Sequence, residues 1–323
     1  MTEYVPWLRR FMGHAKIPLV YASTLVTDRW GGILLERRAD FRNSWWGLPG
    51  GLMEVGESIG ETAIRETREE TGLIIQPGRL VGLYTSPDFD VTYPNGDQVQ
   101  QVNACFATRT IGGHLRPQNG EVLELRYFPP GELPTMPAWY AAMVDDFLDN
   151  RLEASFRSGS PGGDADPAQR TFEEIRRAVG GPDPLIIVGA AAFVRRHDRV
   201  LLQQRGDNGW WGLPGGSMEL GERLDQTAAR EALEETGVQV EPVRMTGVYS
   251  APRSVVPTSW RDSSQVFSAC FECRPVGGEP KADGVETIDA RYFPVDELPE
   301  NTSARWRMYI SDALSGRREA IVR

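Results

Sequence analysis

The chain has 323 residues, of which 40% are hydrophobic and 25% are charged, a composition that fits a soluble globular protein and excludes a disordered one. No apolar run is long enough to span a bilayer, and a net charge of −10 argues against nonspecific binding of DNA or RNA. Anionic small substrates stay open, because a bound divalent cation can supply the local positive charge.

The cysteines and the N-terminus predict the compartment. The chain has three cysteines, Cys105, Cys270 and Cys273. An odd number of cysteines in a chain of this length argues against a disulfide framework. The first residues lack the charged head and apolar core of a secretory signal. We therefore expect a cytoplasmic protein with no membrane partner and no nucleic-acid partner.

Hydrophobic periodicity and turn residues predict the secondary structure along the chain. In the first half we expect a helix over 5–12, strands over 19–26 and 33–36, a charged helix over 58–71, strands over 80–84, 98–108 and 123–128, and a helix over 138–152. In the second half we expect a helix over 172–179, strands over 185–194 and 200–203, and helices over 223–236 and 304–315. Strands dominate and helices flank them, which predicts an α/β fold with a mixed-sheet sandwich.

The two halves are a duplication. The segment WWGLPGG at 45–51 recurs 165 residues later at 210–216, and RYFP at 126–129 recurs at 291–294 with the same offset. A Ser/Gly/Pro-rich stretch over 158–164 separates the copies and has the composition of a flexible linker. We therefore predict a first domain over 1–155, a linker over 156–169 and a second domain over 170–323.

The charged helix of each copy carries three glutamates on one face. Positions i, i+3 and i+4 share a helix face, and they are occupied by Glu66, Glu69, Glu70 and, in the second copy, by Glu231, Glu234, Glu235. Like charges at this spacing cost a bare helix a few tenths of a kcal/mol per pair. A hard divalent cation such as Mg²⁺ would stabilise the cluster.

These helices extend into a longer motif that resembles the Nudix box. The box reads Gly, five residues, Glu, seven residues, Arg-Glu, an aliphatic residue, any residue, Glu-Glu, any residue, Gly, aliphatic. The residues that fit it are Gly51, Glu57, Arg65, Glu66, Glu69, Glu70, Gly72, Leu73 and, again, Gly216, Glu222, Arg230, Glu231, Ala232, Glu234, Glu235, Gly237, Val238. One position departs, since Thr67 stands where an aliphatic residue is expected. The chain thus resembles a tandem of two complete Nudix domains, which implies two Nudix folds, each a mixed β-sheet sandwich flanked by helices.

The resemblance implies a chemistry and assigns roles. Nudix enzymes hydrolyse the diphosphate linkage of a nucleoside diphosphate joined to another group, with Mg²⁺ as cofactor and Mn²⁺ as a possible substitute. The six glutamates above would bind the metal, together with backbone carbonyls of the loops at Gly50, Gly51, Gly215, Gly216. Catalytic roles would fall to Glu66, Glu69, Glu231 and Glu234 with the adjacent Arg65 and Arg230, and structural roles to Glu57, Gly72, Glu222, Gly237.

The general base and the substrate contacts vary in the family. Glu121 and Glu286 match between the repeats and are candidates for the base or for an extra metal ligand, with an exposed turn glutamate as the alternative. Candidate substrate-binding residues are Arg38, Asp97, Gln100, Arg205, Asp262, Gln265. Pro87 and Pro252 resemble a proline of ADP-ribose-cleaving members and favour ADP-ribose or a nucleotide sugar, although turn chemistry explains both equally well.

Two other functions are compatible with the sequence. The enzyme could act on a non-nucleotide diphosphate, or the chain could be a nucleotide sensor that binds without cutting, although that function usually accompanies eroded boxes. Because many Nudix enzymes are homodimers, we also predict that the two domains form a pseudo-twofold dimer within the chain, which is itself a monomer or a homodimer.

Overall fold

The computed structural model describes residues 4–39, 45–117, 120–160, 185–252 and 264–323, together with Ile175 and Val179. The chain divides into two compact units, Met1–Ser160 and Pro161–Arg323. Most of the predicted linker over 156–169 and of the predicted helix over 172–179 lies outside the described residues. The domain boundaries therefore stay a prediction.

The first unit alternates short helices with eight strands. Its helices are α1 (Tyr4–Met12), α2 (Ile59–Thr71) and α3 (Ala138–Leu148). Its strands are β1 (Ile17–Leu25), β2 (Ile33–Arg38), β3 (Trp46–Gly47), β4 (Gly50–Leu52), β5 (Leu73–Tyr84), β6 (Val91–Thr92), β7 (Gln98–Gly113) and β8 (Val122–Phe128). One sheet has the order β4-β1-β7-β5 with β6 beside β7, and a smaller sheet has the order β3-β2-β8. Strand β1 is parallel to β7 and antiparallel to β4, so the sheet is mixed.

The second unit has a similar arrangement, but its strands form one eight-stranded sheet because its first two strands also pair with each other. Its strands are β9 (Ile186–Arg196), β10 (Arg199–Arg205), β11 (Trp211–Gly212), β12 (Gly215–Ser217), β13 (Gln239–Tyr249), β14 (Gln265–Gly277), β15 (Thr287–Pro294) and β16 (Ile321–Val322), and its helices are α4 (Leu224–Thr236) and α5 (Ala304–Leu314). Strand β9 lies between β12 and β14, parallel to the latter, as β1 lies between β4 and β7. The predicted α/β class with mixed sheets and flanking helices is confirmed.

Each unit has its own hydrophobic core. In the first, apolar side chains of β1, β2, β5 and β7 pack against α3, and in the second the matching strands pack against α5. The three cysteines are buried free thiols at the strand positions expected of small hydrophobic residues. Among the described residues, no helix has the length and apolarity needed to cross a membrane.

The structure shortens the predicted helix over 138–152 and lengthens several predicted strands, most of all the strand over 80–84. Helix α3 ends at Leu148 rather than at 152, and Asn150 adopts a left-handed conformation with φ 50°. The chain then turns so that Ser155 pairs with β5, donating to the carbonyl of Val81 at 2.9 Å. Strand β5 begins at Leu73, directly after α2, rather than at 80. Pairing between segments that are distant in sequence determines where α3 ends and where β5 begins. The local hydrophobic periodicity carries no information about that pairing.

Candidate active site

The carboxylate helix begins and ends at residues that suit helix termini. Ser58 is the N-cap of α2 and forms a reciprocal capping box with Glu61, which satisfies two free N–H groups of the first turn. Gly72 and Gly237 follow α2 and α4 with φ of 73° and 70°, a conformation that glycine adopts without a steric penalty. Local sequence therefore sets both ends of α2 and the C-terminal end of α4.

The departure from the box at Thr67 is compensated inside the first unit. The Thr67 hydroxyl donates to the carbonyl of Ala63 at 2.7 Å and lies 2.9 Å from the hydroxyl of Thr24 on β1. Thr24 also donates to the carbonyl of Pro49 at 3.1 Å. The second unit has buried Ala232 in place of Thr67, beside a strand whose Ala192 bonds Pro214 through its backbone. A polar pair therefore replaces an apolar pair without leaving a buried hydroxyl unsatisfied.

The Gly-Gly loop lies directly against the carboxylate face. The Gly50 N–H donates to the Glu70 carboxylate at 2.7 Å, and the Gly215 N–H donates to Glu235 at 2.8 Å. A Cβ on Gly51 would lie 2.6 Å from both carboxylate oxygens of Glu66. Any side chain at this position would therefore displace the Glu66 carboxylate.

One arginine in each unit organises the box. Arg65 donates to Glu57 at 2.6 and 3.0 Å, to Glu66 at 2.7 Å, to Glu69 at 3.3 Å and to the Leu52 carbonyl at 2.8 Å. Its hydrogen bonds to Glu57 and its charged neighbours raise its already high pKa, so it stays a cation. The planar guanidinium fixes the carboxylates relative to one another, which a lysine cannot do.

The second unit reproduces that network. Arg230 donates to Glu222 at 2.6 and 3.2 Å, to Glu231 at 2.9 Å and to Glu234 at 3.0 Å. It also donates to the Ser217 carbonyl at 3.0 Å. The network therefore belongs to the motif rather than to one copy.

Burial shifts the titration of the carboxylates. Burial raises the pKa of Glu66 and raises the pKa of Glu231 to about 7, even though a neighbouring arginine opposes the shift. The pKa of Glu70 is raised well above its usual value by burial and by nearby Glu36, and burial raises the pKa of Glu235 to about 8. Such shifts indicate carboxylates that lack a full complement of positive charge.

The side chains of the two carboxylate faces have the donor atoms that a divalent cation binds. Each site offers hard oxygen donors, among them one buried and one partly buried glutamate against a glycine loop, which suits a small hard cation. In the described part of the chain, no three acidic, cysteine or histidine side chains converge on one point in this structure. Glu66, Glu69 and Glu70, with their counterparts in the second unit, are the residues that would hold the metal.

The predicted substrate contacts lie in different environments. Arg38 is at the site and donates to Glu70 at 3.3 Å. Asp97 lies in the hairpin before β7, where it pairs with His14 and with Arg9 of α1. Gln100 is buried and donates to the Thr85 carbonyl at 3.4 Å, which ties β7 to the end of β5. A role for Asp97 or Gln100 in substrate binding stays a prediction.

Their partners in the second unit behave in part alike. Gln265 is buried and donates to the Ser250 carbonyl at 2.8 Å, as Gln100 does in the first unit. Arg205 forms two hydrogen bonds with Asp207, at 2.8 and 3.0 Å. Asp262 lies outside the described residues.

The two candidates for the general base are both exposed. Glu121 lies in the turn before β8, and its carbonyl accepts from the Ala39 N–H at 2.8 Å. Glu286 lies in the equivalent turn, and its charge contributes to the raised pKa of both Glu231 and Glu235. The charge of Glu286 therefore acts on the carboxylates of the second site. A catalytic role for Glu121 or Glu286 stays a prediction.

Sequence reasoning missed residues that line the carboxylate face. Glu36 of β2 is fully buried, and Gln203 of β10 occupies the matching position. Tyr140 of α3 packs against Gly47, and its raised pKa, due mainly to burial, also reflects the charges beside it. Trp306 of α5 packs against the equivalent glycine of β11. A charged residue at the end of the apolar run 33–36 was the available signal, since such a run is expected to be buried.

Both units of the chain are similar to known proteins. The NUDIX domain family model matches residues 18–147 and 185–312. The chain is 37% identical over 134 residues to a MutT-like protein of Streptomyces ambofaciens, covering 41% of this chain and 80% of the relative. It is 33% identical over 116 residues to an ADP-ribose pyrophosphatase of Methanocaldococcus jannaschii, covering 36% of this chain and 64% of that relative.

Solved structures also align with one unit at a time. An ADP-ribose pyrophosphatase from Streptococcus suis aligns with a TM-score of 0.34 and 25% identity, over 42% of this chain and 98% of that one. A NUDIX hydrolase from Nitrosomonas europaea aligns with a TM-score of 0.36 and 25% identity, over 44% of this chain and 80% of that one.

Proposed function

The chain belongs to the NUDIX family, and we propose that it is a Mg²⁺-dependent diphosphate hydrolase with an active site in each of its two domains. The observation that carries this proposal is the repeated constellation of an arginine-held carboxylate face against a Gly-Gly loop. Both copies keep all three glutamates: Arg65 and Arg230 hold the first two with matching hydrogen bonds, and a glycine N–H of the loop holds the third. A protein that only binds nucleotides has no need of two complete sets.

The reaction adds water across a phosphoanhydride. The water oxygen bonds to one phosphorus, the bridging P–O bond breaks, and the bridging oxygen leaves with the other phosphate. When bound, Mg²⁺ would neutralise negative charge on the diphosphate and lower the pKa of a coordinated water molecule. The chain must then accept the water's proton and hold the substrate in line, and positioning of this kind supplies much of the rate in phosphoryl transfer.

We propose side chains for these two tasks. Glu69 and Glu234 reach solvent, with half or more of each side chain exposed, and they are the box glutamates best placed to accept the water's proton. Glu286 is a second candidate in the domain where its charge reaches the site. Arg38 and Arg205 are candidates to bind the phosphate oxygens, because a guanidinium matches their geometry.

We propose a nucleoside diphosphate joined to a second group as substrate, with ADP-ribose or a nucleotide sugar favoured. Two relatives with the names ADP-ribose pyrophosphatase and putative ADP-ribose pyrophosphatase support this choice, at 33% and 32% identity. The chain spans 64% of the length of each of these relatives, and therefore the substrate is a proposal for this chain.

The test is product analysis in labelled water. The protein is incubated with Mg²⁺ in ¹⁸O-water and a panel of ADP-ribose, nucleotide sugars, dinucleoside polyphosphates, NTPs and isoprenyl diphosphates, with and without EDTA. We expect one ¹⁸O atom in a phosphate product of a nucleotide substrate, and we expect EDTA to abolish the reaction. Turnover restricted to isoprenyl diphosphates would show that the substrate is a non-nucleotide diphosphate and not a nucleotide. Tight ligand binding without turnover of any compound would replace the enzyme with a sensor.

A further inference from the structure

The two sites differ at one buried position beside the last glutamate of the box. Glu36 on β2 and Gln203 on β10 have the same place in the two units, since each strand pairs with the matching strand β8 or β15. Glu36 is 0% exposed and Gln203 is 2% exposed. The repeats therefore differ by one carboxyl group at a position where charge is weakly screened.

In the first unit this position is ionic. The Nη1 atom of Arg38 donates to Glu36 at 3.0 Å and to Glu70 at 3.3 Å, which bridges the two carboxylates. Both glutamates are almost completely buried, and the side chain of Arg38 is 16% exposed. Val122, which pairs with Arg38 across the sheet, has no polar side-chain atom to contribute.

In the second unit the same position is neutral and fully hydrogen-bonded. The Nε2 atom of Gln203 donates to Glu235 at 3.3 Å, and the Thr287 hydroxyl donates to Oε1 of Gln203 at 3.2 Å. Thr287 replaces Val122, and it pairs with Arg205 across the sheet. Arg205 is half exposed and forms a two-bond ion pair with Asp207. Gln203, Thr287 and the Arg205–Asp207 pair thus take the place of the ionic contacts that Glu36 and Arg38 make in the first unit.

A buried carboxylate beside another carboxylate is costly unless positive charge compensates it. A single guanidinium bridges Glu36 and Glu70, while Glu66 adds further negative charge to Glu70. The first site therefore has two buried carboxylates where the second has one, because an amide replaces Glu36 and the Asp207 carboxylate of the second unit is half exposed. A cation that enters the first site gains more from the protein than one that enters the second.

We propose that Glu36 and Gln203 tune the two metal sites to different affinities, so that the first domain binds a divalent cation more tightly than the second. This inference rests on the metal site of the proposed function. Glu36 acts as a positioning and charge-setting residue behind the metal-binding face. The chain then has one site that is filled at low cation concentration and one that responds at higher concentration.

The experiment measures Mn²⁺ binding to the full chain by isothermal titration calorimetry. Substituting Glu231, Glu234 and Glu235 together by Gln isolates the first site, and substituting Glu66, Glu69 and Glu70 together isolates the second. We expect the isolated first site to bind Mn²⁺ at least about tenfold more tightly, which is about 1.4 kcal/mol.

Reciprocal exchange then tests the cause. Glu36→Gln in the isolated first site should weaken Mn²⁺ binding about tenfold, and Gln203→Glu in the isolated second site should strengthen it by a similar factor. A gain of affinity in the second exchange cannot come from damage to the fold. Glu124→Gln, at a half-exposed surface ion pair of β8, is the matched control that removes a charge and should leave the affinity unchanged.

The outcomes separate this inference from the proposed function. Equal affinities at the two sites, or exchanges that leave affinity unchanged, overturn the inference and leave the hydrolase intact. Absence of Mn²⁺ binding at both sites overturns the metal-dependent function and this inference with it. Opposite shifts in the two exchanges, with the control unchanged, support the assignment of Glu36 and Gln203.

Discussion

Gly51→Ala tests whether the close packing of the glycine loop on Glu66 matters for catalysis. A Cβ at this position would lie 2.6 Å from both carboxylate oxygens, whereas ordinary contact begins at 3.4 Å. The carboxylate must therefore shift by about 0.8 Å, and a misplacement of about 1 Å at a reacting centre can cost about 10²-fold in rate. Gly51 is not among the residues with positive φ, so alanine brings no backbone strain of that kind.

The assay is steady-state hydrolysis by the Glu235→Gln chain, in which only the first site has all its carboxylates. We expect Gly51→Ala to lower kcat/KM about 10²-fold, equivalent to about 2.7 kcal/mol of transition-state stabilisation, with little change in Tm. Gly60→Ala is the matched control, because nothing lies within 4 Å of a Cβ there, and it should leave kcat/KM unchanged. A Gly51→Ala variant within about twofold of its parent would refute the reasoning.

Three further predictions follow from the same contacts. Since the pKa values of Glu231 and Glu235 are raised to about 7 and about 8, the folded apo chain binds protons that the unfolded chain has released. Its Tm should therefore fall as pH rises from about 4.5 to about 8, and Mg²⁺ should raise Tm most at the upper end, whereas a pH-independent Tm would contradict the shifts. Thr67→Ala should cost about 1 kcal/mol in urea unfolding, and adding Thr24→Ala should recover part of that loss, as the paired alanines of the second unit suggest; strictly additive losses would argue against coupling. Arg65→Lys should lower kcat/KM of the first site at least about tenfold because lysine cannot hold three glutamates in one plane, and full activity would show that the fork is dispensable.

The carboxylate helices and the chain's duplication could be predicted from sequence because their signals are local and repeated. Helix α2 begins at Ile59 and ends at Thr71, within one residue of the predicted limits, since Ser58 and Gly72 have strong preferences for helix termini. The spacing of Glu66 and Glu70 predicts a shared face, and the structure places both against the glycine loop.

The environment behind the carboxylates could not be predicted in the same way. Glu36 lies at the end of an apolar run, but charged residues are rarely buried, so this local signal does not predict its 0% exposure. Its burial depends on β2 lying between β3 and β8, which is a long-range arrangement. The compensation of Thr67 by Thr24 has the same origin, because the two residues are on different elements that meet only in the folded chain.

The most direct test of the account compares kcat at saturating Mg²⁺ for Glu70→Gln, Glu235→Gln and the double variant. Glutamine keeps an acceptor for the Gly50 or Gly215 N–H and removes only the charge, so folding should be preserved. Two working active sites predict that each single variant retains part of the rate and that the double variant loses at least about 10²-fold. Loss of all activity in one single variant, or full activity in the double variant, would contradict the claim that both domains hydrolyse diphosphates.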